Sequence, residues 1–156
     1  MPITQAESHH ISVLAGQGET TTLRTTVTAL AVRENTTPGA VLLACRDDYH
    51  QTAAHMASKA GQAQSIHALA GLFGADAAGR AAYFNIANRF SGDGPVHTAL
   101  RHRYLEPFRA LVKHGADPTR KNRFGDAWVD YAPDFEEGEV AGVVEAYRKR
   151  MDAGGL

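Results

Sequence analysis

A 33-residue recurrence constrains this chain more than any other feature. The run Asn88-Arg89-Phe90-Ser91-Gly92-Asp93 returns as Asn122-Arg123-Phe124-Gly125-Asp126, with Gly92 and Gly125, and likewise Asp93 and Asp126, 33 residues apart. A fixed period of that size marks a stack of identical supersecondary units, none of which can bury its apolar face alone. Residues 94–122, GPVHTALRHRYLEPFRALVKHGADPTRKN, show what one unit contains. Pro95 opens a first apolar-spaced segment, residues 105–112 form a second stripe, and Gly115-Ala116-Asp117 ends it. Proline at a helix entry and glycine at a helix exit are the expected punctuation.

Two further echoes extend the pattern. Gly74-Ala75-Asp76 precedes Gly115-Ala116-Asp117 by 41 residues, and Thr52-Ala53-Ala54-His55 parallels the turn at His97, with Ala57 and Gly61 following in register. With its TPLH-like turns, inter-helix glycine and GAD endings, the chain resembles the ankyrin repeat family. The resemblance is strong over residues 47–132 and weak before them. It implies an all-α, ankyrin-repeat-like solenoid of about four helix-turn-helix repeats joined by β-hairpin-type fingers. The expected division of a single 1–156 domain is a degenerate repeat at 10–46, a repeat at 47–87 with an insertion at 77–87, a repeat at 88–121, and a C-terminal capping repeat at 122–150.

Composition bounds the function. The chain has 156 residues, of which 44% are hydrophobic, so one cored domain is expected. Sixteen basic and seventeen acidic residues leave a net charge of −1, which provides no global attraction for nucleic acid or anionic membrane. A single cysteine, Cys45, excludes an internal disulfide framework and a cysteine-rich zinc site. No run is apolar enough to span a bilayer, and Met1-Pro2-Ile3-Thr4-Gln5 lacks the pattern of a signal peptide. The expectation is a cytoplasmic or nuclear monomer.

In chain order, residues 1–9 are polar and expected to fray, and Gly16-Gln17-Gly18 breaks a short segment at 10–15. Across residues 20–32, Leu23, Val27, Leu30 and Ala31 keep helical spacing, while six threonines argue for a strand. Both readings stay open, with a degenerate first repeat preferred. After a turn at Pro38-Gly39, residues 41–45 read as a buried extended approach to the next finger. Asp47-Asp48-Tyr49-His50 takes the finger position, with His50 where a glycine is usual, and the Thr52 hydroxyl is placed to cap the following helix. Ile66, Leu69, Leu72 and Phe73 form the next stripe. The insertion, with Tyr83, Phe84 and Ile86, is read as a surface bulge or a functional loop, with neither preferred. Pro107 is tolerable only in a first helical turn. Val140, Val143, Val144 and Tyr147 form the last stripe, with Glu136, Glu137 and Glu139 at its start and Arg148, Lys149 and Arg150 at its end, and residues 153–156 are tail.

Eight histidines raise the question of catalysis or metal. His55 and His97 occupy the position where, by the resemblance, the imidazole bonds neighbouring loop backbone, a structural role. His9, His10, His50, His67, His102 and His114 show no HExxH spacing, and no nucleophile elbow or phosphate loop is present. No catalytic residue, metal or cofactor is assigned. A histidine-based enzyme or metal protein is the competing class. Nucleic-acid binding through Arg101, Arg103, Arg109, Lys113, Arg120, Lys121 and Arg123 is disfavoured by the overall charge balance.

The resemblance implies instead a protein partner on a concave face of fingers and first helices. The finger candidates are Asp48, Tyr49 and Gln51; Phe90, Ser91 and Asp93; and Arg123, Phe124 and Asp126. From the first helices come Met56, Lys59, Thr98, Arg101, His102 and Tyr131. Tyr49, Phe90 and Phe124 put an aromatic at each tip, the residue class most enriched at binding hot spots. Trp128 is expected to pack in the core.

Overall fold

The structure is a computed structural model that describes residues 2–154. Gly155 and Leu156, read from sequence as tail, and Met1 lie outside the described residues.

Every regular element among the described residues is helical. The chain opens with α1 (Gln5–Gln17) and α2 (Thr20–Arg33), followed by the short α3 (Pro38–Ala44). The second unit comprises α4 (Ala53–Lys59), α5 (Ala63–Gly71) and α6 (Ala77–Phe84). The third is α7 (Pro95–Arg101) and α8 (Leu105–Lys113), and the last is α9 (Trp128–Tyr131), a 3₁₀ turn (Ala132–Asp134) and α10 (Glu139–Asp152). An inner row runs α1-α4-α7-α9 and an outer row α2-α5-α8-α10, each helix packing on its neighbour in the row and on its partner across the unit. This is the solenoid expected from the recurrence. The fingers are turns held by hydrogen bonds rather than assigned strands.

Two local expectations for the first 46 residues are corrected, and the open choice at residues 20–32 falls to helix, the preferred reading, rather than strand. Residues 1–9 do not all fray: Thr4 and Glu7 form a reciprocal capping box, Thr4 N–H to Glu7 Oε2 at 2.8 Å and Glu7 N–H to Thr4 Oγ1 at 3.1 Å. Glu7 is also held 2.5 Å from Arg33 of α2, which ties the two helices at the edge of the stack. Residues 20–32 are helix, because Leu23, Val27, Leu30 and Ala31 are all buried and the burial outweighs weak threonine propensities. Thr25 returns its hydroxyl to the Thr21 carbonyl at 2.9 Å, one turn back. Residues 41–44 are not extended but end α3, and only Cys45, which caps it, is extended. Thr37 caps α3 by accepting the Ala40 N–H at 3.1 Å, Pro38 occupies its first turn, and Val41 and Leu42 are buried.

The insertion is neither a solvated bulge nor a free loop. It forms α6, capped by Asp76 accepting the Gly79 N–H at 2.9 Å, and packs on α3, its counterpart in the preceding unit. Tyr83 and Phe84 are both 0% exposed. The Tyr83 ring lies 5.4 Å from Phe73 and 5.3 Å from Phe84, centroid to centroid, within the range of favourable aromatic pairing. Asn85 then sews α6 to the next unit, donating to the Gly115 carbonyl at 3.0 Å and accepting the Asp117 N–H at 2.8 Å. Gly115, at φ 109°, lies so close to α6 that a Cβ there would meet Ala81 Cβ at 3.0 Å.

Leu105 does begin α8, with Pro107 in the first turn and Phe108, Ala110, Leu111 and Val112 buried. Trp128 is half-buried against the core. Because Phe84 is a fully enclosed ring, Phe84→Ala should cost about 3–5 kcal/mol in denaturant unfolding. A loss under about 1 kcal/mol would return the insertion to the status of a surface feature.

Candidate binding face

The fingers are built by one device used three times. Asp47, Asn88 and Asn122 stand at the first finger position, and one side-chain oxygen of each accepts two backbone N–H groups farther along. Asp47 Oδ1 takes Tyr49 at 2.9 Å and Gln51 at 2.8 Å. Asn88 Oδ1 takes Ser91 at 2.8 Å and Gly92 at 3.1 Å, and Asn122 Oδ1 takes Phe124 and Asp126, both at 2.9 Å. These are the local bonds that let aspartate and asparagine initiate turns. Each turn also needs one residue in the left-handed region: His50 (φ 61°), Gly92 (φ 74°) and Gly125 (φ 80°) supply it. Backbone bonds close the fingers, from Asp47 N–H to Gln51 O at 3.0 Å, Asn88 to Asp93 at 2.8 Å and Asn122 to Asp126 at 3.0 Å.

Successive fingers are then fastened together. Arg89 N–H donates to Tyr49 O at 2.7 Å, and Arg123 N–H donates to Ser91 O at 2.9 Å. Two imidazoles anchor the ladder from below. His55 Nδ1 accepts the Thr52 N–H at 3.0 Å, so Nε2 carries the proton and donates to Asp93 O, in the next finger, at 3.0 Å. His97 repeats this with the Gly94 N–H at 3.1 Å and the Arg120 carbonyl at 3.0 Å. The first helices of the second and third units, α4 and α7, are therefore each capped by a histidine that also holds the next loop. Thr52 precedes α4 as expected, but its hydroxyl lies 3.1 Å from His55 Nδ1 and takes no backbone N–H.

The tips point into solvent. Tyr49 is 59%, Phe90 77% and Phe124 71% exposed, the three largest aromatic exposures on the described chain. Asp48, Lys59, His102 and Arg123 are also exposed, and Gln51, Met56, Thr98, Asp126 and Tyr131 are half-buried. Ser91 and Asp93 are corrected as partner-binding candidates, because both are buried. Asp93 is 2% exposed, ion-paired to Arg101 and accepting Asn122 Nδ2 at 2.8 Å. Ser91 bonds Asn88 Oδ1 at 3.1 Å. A buried carboxylate with a cation and an amide as partners organises the stack. Arg101 is fixed by the same contacts, with Tyr131 Oη accepting at 3.2 Å, which leaves only part of its guanidinium for a ligand. Thr98 likewise turns its hydroxyl to Gly94 O at 3.3 Å.

Two features escaped sequence reading. His67 and His114, 47 residues apart, meet at 2.8 Å between α5 and the end of α8. Burial, then His67, Arg80 and Lys113, push the His114 pKa down to about 4. On the inner side, Ser8, His9, Ser12 and Val13 of α1 face Asp47, Gln51 and Met56 across a recess of about 260 Å³. Among the described residues no three histidine, cysteine or acidic side chains gather as metal ligands, and no helix is long and apolar enough to cross a membrane.

No protein-family model and no curated protein sequence matches the chain. Among solved structures, it is similar to a chain in the crystal structure of the yeast ribosomal protein Rps3 in complex with its chaperone Yar1. The TM-score is 0.72 at 22% identity, over 97% of each chain. The matched chain is the chaperone, an ankyrin-repeat protein, so the ankyrin-like fold is shown. Membership of the ankyrin family, which the motifs suggested, is corrected to a likeness of fold, since no family model takes the sequence.

His55 also sets a pH dependence. Burial, outweighing its bond to the Asp93 carbonyl, lowers its pKa from 6.5 to about 4. The unfolded chain therefore binds the extra proton first. The stability that His55 contributes is present above pH 6.5 and is lost as pH falls toward 4, with His114 adding a loss of the same sign. The His55 share is about 3 kcal/mol, at about 1.4 kcal/mol per pH unit. Denaturant unfolding of His55→Gln across this window should show a visibly shallower fall than wild type. Parallel profiles would remove His55 as the cause.

Proposed function

We propose that this chain is a protein-binding adaptor that takes a partner protein on its concave face of fingers and inner helices. One observation carries the reading: three aromatic side chains stand exposed on fingers that hydrogen bonds have already made rigid. Isolated exposed apolar residues are ordinary, but rings placed in phase on one fixed ridge are not. Rigid aromatic anchors lose little entropy on binding and recur among interface hot spots. Asp48, Lys59, His102 and Arg123 give the rim its polar contacts, with the free part of Arg101 between them. Gln51, Met56, Thr98, Asp126 and Tyr131 make the floor.

The structural likeness suggests which partner to try first. Yar1 is named as the chaperone of the ribosomal protein Rps3. The reading is therefore an assembly or holding role toward a ribosomal protein of that kind, exercised by a monomer in the cytoplasm or nucleus. It involves no catalytic residue, cofactor, metal, nucleic acid or membrane.

Purified yeast Rps3 is the direct probe, titrated calorimetrically with wild type and with Phe90→Ala and Phe124→Ala. Each truncation should weaken binding by about 1–2 kcal/mol, roughly 5- to 30-fold, and leave thermal unfolding nearly unchanged. Leu111→Ala, which opens a cavity in α8, should lower stability by about 2–5 kcal/mol instead. Full affinity in both phenylalanine variants would mean that the finger ridge is not the site. If wild type does not bind Rps3, the partner class is wrong, and the face must be tested on another captured protein.

A further inference from the structure

Two neighbouring fingers present the same exposed pair at equivalent turn positions, Arg89-Phe90 and Arg123-Phe124. Neither arginine has a carboxylate within ion-pair reach among the described residues. Arg89 donates from Nη2 to His50 Nε2 at 2.6 Å, which leaves its Nη1 and Nε open, and the Arg123 guanidinium makes no bond among those residues. Each pair therefore sets an open cation beside a flat apolar ring, and the ladder bond from Arg123 N–H to Ser91 O fixes one pair relative to the other.

The spacing of the pairs selects what fits them. Neighbouring units pack helix on helix, so their fingers repeat at about 8–10 Å. A polyproline II segment rises about 3.1 Å per residue with three residues per turn, so residues i and i+3 share a face about 9 Å apart. A β-strand puts i and i+3 on opposite faces, with i and i+2 only about 7 Å apart. A helix reaches the spacing only at i and i+7, about 10 Å apart. Exposed aromatic rings are also the surfaces on which proline-rich segments dock.

We propose that Arg89-Phe90 and Arg123-Phe124 together bind a proline-rich acidic segment of the partner protein, with carboxylates three residues apart on the arginines and prolines on the rings. This deepens the concave-face reading and rests on it. A guanidinium holds a carboxylate through two parallel N–H···O bonds, so charge and shape are read together. Asp47 and Asp48 make the adjoining finger acidic, which confines an acidic segment to the two arginine fingers. The same two acids interrupt the continuous cationic groove that a single-stranded nucleic acid requires.

The test titrates three capped peptides into the ¹⁵N-labelled full chain: Glu-Pro-Pro-Glu-Pro-Pro, a spacing control Glu-Pro-Glu-Pro-Pro-Pro, and a charge control Lys-Pro-Pro-Lys-Pro-Pro. The first should shift the Arg89, Phe90, Arg123 and Phe124 amides saturably. It should bind at least about fivefold more tightly than the charge control and about twofold more tightly than the spacing control. Arg89→Glu combined with Arg123→Glu, exposed substitutions that keep both ladder N–H groups, should reverse the charge preference. Phe124→Ala should weaken the first peptide while its melting stays near wild type. Unmoved amides, equal binding of any two peptides, an unaltered preference in the double variant, or tighter binding of a six-nucleotide oligouridylate would overturn the proposal. If the peptides fail while Phe90→Ala and Phe124→Ala still weaken Rps3 binding, the ridge stands and only the acidic-segment inference falls. If the first peptide binds as expected and Rps3 does not, the inference stands and the ribosomal-protein reading falls instead.

Discussion

The hydrogen bond from a buried imidazole to the next unit's loop is the interaction on which the rest of this structure depends. His55 and His97 each accept one N–H at the start of their own helix and donate to a carbonyl one unit farther along. A neutral imidazole is the side chain suited to this, since it offers one acceptor and one donor on opposite sides of a ring. Burial keeps His55 neutral, with its pKa near 4, and so preserves the acceptor. Helix packing alone would leave the fingers free to rotate about their helices. The imidazole bridges, with the ladder bonds above them, give each finger one position relative to the next.

That constraint explains why two chosen site residues proved internal. Asp93 ends the second finger, where its carbonyl receives His55 and its carboxylate receives Arg101 and Asn122. It joins three successive units at one point. Removing the carboxylate would leave a partly buried guanidinium and an amide without their acceptor, a cost well above that of a surface ion pair. The exposed aromatic surface is consequently left to Tyr49, Phe90 and Phe124, whose rings contribute little to the stack.

The repeat phase was legible in the sequence because glycine and asparagine at the fingers answer a backbone requirement that few other residues meet. His50 shows the limit of that logic. It adopts the left-handed conformation at φ 61° where glycine stands in the later fingers, and its Nε2 receives Arg89 at 2.6 Å. The first 46 residues were harder to read, since threonine propensity and a short apolar run both pointed away from helix. The overlooked signals were caps: Thr4 with Glu7, and Thr37 before Pro38. Tyr83 and Phe84 could not be placed from spacing, because their helix packs on α3, an element distant in the chain, as well as on nearby Phe73. The same holds for the recess, whose two walls lie about 40 residues apart in the sequence.

Native-state hydrogen exchange at the Arg89 and Arg123 amides tests the central claim most directly. These two N–H groups report the finger ladder and nothing within a helix. In wild type both should be protected well above other exposed loop amides. His55→Gln should selectively release Arg89, and His97→Gln should release Arg123, while Leu111 and Phe108 in α8 stay protected. Equal protection of the ladder amides in wild type and variants, or no protection in wild type, would contradict the claim that the imidazole bridges hold the fingers in register.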